Sequence, residues 1–273
     1  MRSAKNLVLT ITHGRTGTTF LTELCKLFDD TRAEHEPEPN YASIMPKAKF
    51  DPRYAVLFVR EKLKVLSAYP EANYVETSNV FGKAFFVPMV RLGVYPRLIF
   101  LNRDFRDTAT SLYVRGSIPM RTDRGRHYST DPTAPGVLQL YQPATLSDYQ
   151  LCYWAVLDCY RRQLQAATMY DRLGWGDYLW TTPQGLNDFD HFIALGDRLG
   201  LTVSDMERAR ADHSEIAQTH HNQNRAERKA DNTDYAEEEV EVLDRIGYYD
   251  PLFVRSALEA PFVRSEIRQR FAA

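Results

Sequence analysis

Residues 7–21, Leu-Val-Leu-Thr-Ile-Thr-His-Gly-Arg-Thr-Gly-Thr-Thr-Phe-Leu, constrain this chain more than any other stretch. Leu7 to Ile11 is a short apolar run rich in β-branched residues, the pattern of a buried strand. It breaks into Gly14-Arg15-Thr16-Gly17, and Thr18 to Phe28 then carries apolar residues at helical spacing. A strand, a tight glycine turn and a helix together make a pocket for anions. The first N–H groups of the helix lack intrahelical partners, and its dipole favours negative charge. Gly17 lets the backbone approach an anion without a Cβ in the way. Arg15 can fork onto phosphate oxygens, and Thr16, Thr18 and Thr19 add hydroxyl donors.

The rest of the chain repeats the strand–helix alternation. Thr31 to Pro37 reads as a second strand, and Pro37, Pro39 and Pro46 break regular structure through a loop. Asp51 as cap and Pro52 at the first position open a helix to Ala68 that buries Val56, Val59, Leu63 and Leu66. Tyr74–Thr77 is a third strand, 81–92 a helix, 96–103 a fourth strand and 104–113 a helix. A long helix over 148–172, a last strand at 178–180 and helices at 187–199, 237–246 and after Pro251 follow. This order predicts one α/β domain over 1–273, a central parallel sheet with helices on both faces. Ligands of such sheets gather at the carboxyl ends of the strands. Arg15, Glu36, Ser78 and Arg103 all follow strand ends there. Residues 116–147 are irregular, with Arg121, Arg124, Arg126 and His127, and read as a lid or substrate loop. Residues 218–235 read as a polar loop.

Composition narrows the classes. A net charge of −2 argues against a nucleic-acid partner. No apolar run approaches the roughly 20 residues that span a bilayer, so no membrane partner is expected, and Arg2 and Lys5 ahead of the first strand do not make a cleavable signal peptide. Cys25, Cys152 and Cys159 lack metal-type spacing and read as buried thiols in a cytoplasmic protein.

The glycine turn is not a Walker A loop, which needs a lysine between its second glycine and a Ser/Thr. Here Gly17 is followed directly by Thr18-Thr19, and the cation, Arg15, precedes it. A basic residue, Ser/Thr, Gly, Thr, Thr and an aromatic in that order resembles the 5′-phosphosulfate loop of the sulfotransferases. A second family signature, a strand ending in Arg with a Ser eight residues later, is matched by Arg103 and Ser111 after Leu98-Ile99-Phe100-Leu101-Asn102. The resemblance implies a P-loop fold and a co-substrate, PAPS (3′-phosphoadenosine 5′-phosphosulfate). It implies that Gly14, Arg15, Thr16, Gly17, Thr18 and Thr19 hold the 5′ end, Arg103 and Ser111 the 3′-phosphate. No metal is required. The sulfuryl group would pass to a hydroxyl of a small-molecule or carbohydrate acceptor, leaving adenosine 3′,5′-bisphosphate, with Arg15 at the leaving phosphate.

A base is needed on the same rim. The second strand delivers Glu34-His35-Glu36-Pro37, and Glu36-Pro37 resembles the strand end of bacterial and carbohydrate sulfotransferases, where a Glu acts as base. His35 is the rival, and side-chain alternation along a strand lets only one of the two face the sulfur. Glu36 is preferred. Glu76-Thr77-Ser78-Asn79 is a candidate lining of the acceptor pocket, and His220-His221-Asn222 reads as a polar loop near the 3′-phosphate. The C-terminal Arg-Lys-Gly loop of the cytosolic enzymes is echoed only loosely by Arg225 and Arg228-Lys229, and their dimer motif is not found. The resemblance is therefore to the bacterial, carbohydrate-type branch. The competing readings are an NTP-dependent P-loop kinase and a non-catalytic nucleotide-binding member.

Overall fold

The computed structural model describes residues 5–219 and 234–272. In chain order it runs β1 (Asn6–Thr10), α1 (Thr18–Cys25), β2 (Thr31–Glu34), α2 (Tyr41–Ala48), α3 (Pro52–Ala68), β3 (Asn73–Glu76), α4 (Phe81–Ala84) and α5 (Phe86–Arg91). Then come β4 (Arg97–Leu101), α6 (Phe105–Val114), α7 (Asp123–Tyr128), a 3₁₀ turn at Pro143–Thr145, α8 (Asp148–Leu173) and β5 (Tyr178–Thr181). The last helices are α9 (Pro183–Leu186), α10 (Phe189–Arg198), α11 (Met206–Gln218), α12 (Tyr235–Gly247), α13 (Pro251–Glu259) and α14 (Ser265–Ala272).

The five strands form one all-parallel sheet in the order β2-β3-β1-β4-β5, with Leu9 opposite Leu98 on one side and Glu76 on the other. Alternation along the strands feeds two cores, as a sheet covered on both faces requires. Leu9, Tyr74, Leu98 and Phe100 point toward α2, α3, α5 and α8, while Val8, Val75, Ile99 and Leu101 point toward α1, α10 and α11. The chain leaves β1 onto the α1 face. After β4 it runs into α6 and α8, which pack together in a third core. Adjacent strands whose connections depart to opposite faces open a crevice at their carboxyl ends. Here that crevice lies between β1 and β4, where the glycine turn and Arg103 sit.

The helices differ from the sequence expectation where prolines compete with packing. The stretch 81–92 is not one helix. It breaks at Phe85 into α4 and α5, because Pro88 cannot donate to the carbonyl of Ala84 and its ring crowds it. The loop expected through Pro46 is instead α2 with Pro46 inside it. The Asn40 side chain caps it on the Ala42 N–H, and Tyr41, Ala42, Met45 and Ala48 are buried, which offsets one missing backbone bond. The tail beyond Pro251 is two helices, not one. Asp51 caps α3 as the sequence indicates, but α3 buries Ala55, Val59, Lys62 and Leu66, a lysine among them.

The segment 116–147 is packed. Ile118, Ala134, Val137, Leu138 and Leu140 enter the α6–α8 core. Asp158 of α8 accepts from the Leu138 N–H and Thr130 hydroxyl, both at 2.8 Å, and the Trp154 indole donates to the Leu138 carbonyl at 2.9 Å. Lys49 beyond α2 donates to the Arg126 and Ser129 carbonyls. The three thiols are buried and free, and burial pushes Cys25 and Cys159 up to about 12. Among the described residues no helix is long and apolar enough to cross a membrane.

Candidate functional site

The turn after β1 is anchored to its neighbour strand. The Ile11 N–H donates to the Ile99 carbonyl at 3.0 Å, and the Thr12 hydroxyl to the Leu101 carbonyl at 2.6 Å. Thr16 is buried and its hydroxyl donates to the His13 carbonyl at 2.8 Å, so it closes the turn from inside. Gly17 caps α1 in the left-handed region at φ 93°, and a Cβ there would lie 3.1 Å from Pro183 Cγ. Both facts call for glycine. Thr18 and Thr19 begin α1, whose first N–H groups have no partner within the helix.

Arg15 stands at φ 75°, a conformation that costs a side-chain-bearing residue about 1–2 kcal/mol. Its half-buried guanidinium donates through Nε to Ser111 Oγ at 2.9 Å, across 96 residues of sequence. Burial, then the charges of Arg115, Arg103 and Arg124, hold its pKa below the usual arginine range. Arg15 thus lies in the field of Arg103, Arg115 and Arg124, which favours an anion beside it. Arg103 pairs with Asp107 at 2.9 Å, and Arg264 bonds Asp104 and Asp107 at 3.0 and 2.8 Å. Arg115 and Arg264 carried no signal in the sequence beyond their charge.

β2 ends at Glu34, so His35 and Glu36 do not alternate along a strand as the sequence reading assumed. Glu36 turns at φ 49°, and this separates the two side chains. His35 Nδ1 lies 2.9 Å from the Thr77 carbonyl and 3.1 Å from its hydroxyl, joining the ends of β2 and β3. Glu36 Oε1 instead accepts from the Asn79 side-chain amide and, at 3.4 Å, from the Asn79 N–H. The Asn79 amide lies over the glycine turn, 3.6 Å from where a Cβ on Gly14 would stand.

Two buried groups complete this side of the crevice, and neither was singled out in the sequence. Lys83 donates to the Tyr128 carbonyl and to Asn79 Oδ1 at 3.4 Å, and burial lowers its pKa to about 8. His13 is held neutral, well below its usual range, by burial and by the Lys83 ammonium. Its Nδ1 faces the Gly14 carbonyl at 3.3 Å, and its buried Nε2 has no partner among the described residues. The Tyr128 hydroxyl is raised by burial and by Glu36, with Arg124 and Arg115 opposing.

Other expected residues serve the scaffold. Ser78 receives the Thr10 hydroxyl on its carbonyl at 2.9 Å and caps the Val80 N–H with its own. Glu76 is fully buried against Lys62 at 2.9 Å. Arg121 pairs with Asp148, Arg126 with Asp123, and His127 Nδ1 lies 2.8 Å from the Asp123 carbonyl. Of that basic group, Arg124 alone acts on Arg15. His220, His221, Asn222, Arg225, Arg228 and Lys229 lie outside the described residues.

No family model matches the chain, and no curated protein matches it. Among solved structures it is similar to mouse sulfotransferase SULT7A1 complexed with PAP. That match has a TM-score of 0.48 and 12% identity, and covers 93% of this chain and 89% of that one.

Proposed function

We propose that this chain is a sulfotransferase that moves the sulfuryl group of PAPS to a hydroxyl acceptor of the small-molecule or carbohydrate class. The contact that carries this reading is Arg15 Nε on Ser111 Oγ. It joins two phosphate-type motifs, one after β1 and one after β4, into one basic crevice. A nucleoside phosphorylated at both ends uses two such clamps, whereas a nucleoside triphosphate needs one with a Walker lysine. The residues present suit that ligand. Arg15, Arg103 and Ser111 offer donors, and Asn102 Nδ2 at the end of β4 is a buried donor without a partner among the described residues.

In this reading Arg15 and the first N–H groups of α1, with Thr18 and Thr19, bind the 5′ end and neutralise charge developing on the leaving phosphate. Arg103 and Ser111 take the 3′-phosphate. Glu36, held beside the turn by Asn79, removes the acceptor's proton, while His35 keeps its structural bonds to Thr77. No metal is required, because the cations are supplied by side chains. Location in the cytoplasm and the carbohydrate-type branch belong to the same proposal. So do the single domain and the action of 116–147 as a substrate loop.

The test is release of adenosine 3′,5′-bisphosphate from PAPS in an acceptor screen. Wild type is expected to turn over and Glu36→Gln to fall by about a hundredfold or more, the range for a general base, with bisphosphate binding intact. Turnover with ATP and Mg²⁺ but not with PAPS overturns the reading in favour of a kinase.

A further inference from the structure

Lys83 is a single cation in the apolar run Val80 to Val90, and it is 4% exposed. Gly82 makes this placement possible. A Cβ on Gly82 would lie 2.5 Å from Ile11 Cγ2, so α4 presses on the end of β1 and its lysine shares the interior with His13. A lysine only donates, which fixes the polarity of everything beyond it. The Asn79 oxygen must face Nζ, so the Asn79 nitrogen must face Glu36, which must accept. Both Asn79 donors fall on Glu36 Oε1, and this leaves Oε2 for an incoming proton.

The charges around Lys83 are few. Glu36 from the β2 loop and Asp158 from α8 favour the ammonium, and Arg162 opposes it, while the buried Cys159 thiol beside it stays neutral. His13 from the glycine turn is neutral, and α7 contributes the Tyr128 carbonyl. Lys83 therefore faces Glu36 through one amide.

We propose that Lys83 is a positioning residue for the Glu36 base: its ammonium orients the Asn79 amide, the amide fixes Oε1, and Oε2 receives the acceptor's proton. In the step, the acceptor O–H bond breaks and its oxygen bonds to sulfur. The bond from sulfur to the bridging phosphate oxygen breaks, its electron pair leaves on the phosphate, and the proton ends on Oε2. This inference rests on the reading of Glu36 as base.

The experiment uses the full chain, PAPS and water as the accepting hydroxyl, read as adenosine 3′,5′-bisphosphate released across pH 5.5–9.5. Lys83→Met and Asn79→Leu are expected to slow release about tenfold to a hundredfold, the worth of a hydrogen bond to a charged group. Half-saturating PAPS should not change. In wild type release should fall as pH rises through about 8, where Lys83 gives up its proton, and Lys83→Met should lack that fall. Asn79→Leu, which removes a loop side chain, carries the test if Lys83→Met does not fold. Unchanged rates, a slower rate with weaker PAPS saturation, or a fall through pH 8 that persists in Lys83→Met overturns the proposal. Glu36→Gln separates the readings. If it is inactive while the other two are normal, this inference alone fails. If it is fully active, the base reading fails and this inference with it.

Discussion

Replacing Lys62 with methionine tests the most buried electrostatic feature of the sheet. Lys62 and Glu76 side chains are 1% and 0% exposed, with Nζ 2.9 Å from Oε1. The same ammonium donates to the Pro39 carbonyl at 2.8 Å and lies 4.4 Å from the centre of the Tyr41 ring. Methionine keeps most of the volume, so the loss is electrostatic. Removing one partner leaves a buried carboxylate uncompensated, at a cost of about 3–5 kcal/mol. In a domain of this size that lowers Tm by about 10 °C. Adding Glu76→Leu removes the stranded charge, while the Tyr74 hydroxyl keeps Glu34 at 3.3 Å as an acceptor. The double variant should therefore lie within about 1.5 kcal/mol of wild type.

The pH dependence has a definite sign. Burial raises the Glu76 carboxyl, against the pull of Lys62 and Tyr74. A raised folded pKa means the folded state binds the proton more tightly, so stability from that protonation is present at low pH and lost as pH rises through the folded value. The Lys62→Met deficit should be smaller at pH 5 than at pH 8. Urea unfolding followed by tryptophan fluorescence measures it. A deficit under about 1 kcal/mol at pH 8, or one equal at both pH values, refutes the buried pair.

Gly17→Ala forces a Cβ into φ 93° and toward Pro183 at 3.1 Å, and should cost about 1–2 kcal/mol by thermal unfolding together with protection by bisphosphate nucleotides. Lys83 has a folded pKa lowered from 10.5 to about 8, so the unfolded chain binds more protons between those values. Wild type should then gain stability over Lys83→Met as pH rises from about 8 to 10.5, by up to about 3 kcal/mol. A flat difference across that window contradicts the buried ammonium.

Much of the frame was legible because it is written locally. The alternating strands show in their own residues, as do the glycines at 14 and 17, the Asp51-Pro52 helix start and the Arg103–Ser111 spacing. The residues that were missed are defined by partners distant in sequence. Lys62 looks like a solvent-facing lysine until Glu76 is brought beneath it, and Lys83 is meaningless without Asn79 and Glu36. The lone cation in the apolar run 80–90 was the available signal for it. The break at Phe85 was readable from Pro88. The helix through Pro46 was not, because burial of Tyr41 and Met45 decides it. The divergence of the His35 and Glu36 side chains rests on a single positive φ, which no side-chain periodicity carries.

The central claim is a crevice built for a nucleoside phosphorylated at both ends. Thermal unfolding with adenosine 3′,5′-bisphosphate, adenosine 5′-phosphate or ATP, in wild type and Arg103→Ala, tests it most directly. Ligand at a hundred times Kd should stabilise wild type by about 2.7 kcal/mol. The account predicts this for the bisphosphate, at concentrations where the other two do little, and its loss in Arg103→Ala. Equal protection by ATP or by adenosine 5′-phosphate, or full protection of Arg103→Ala, would contradict it.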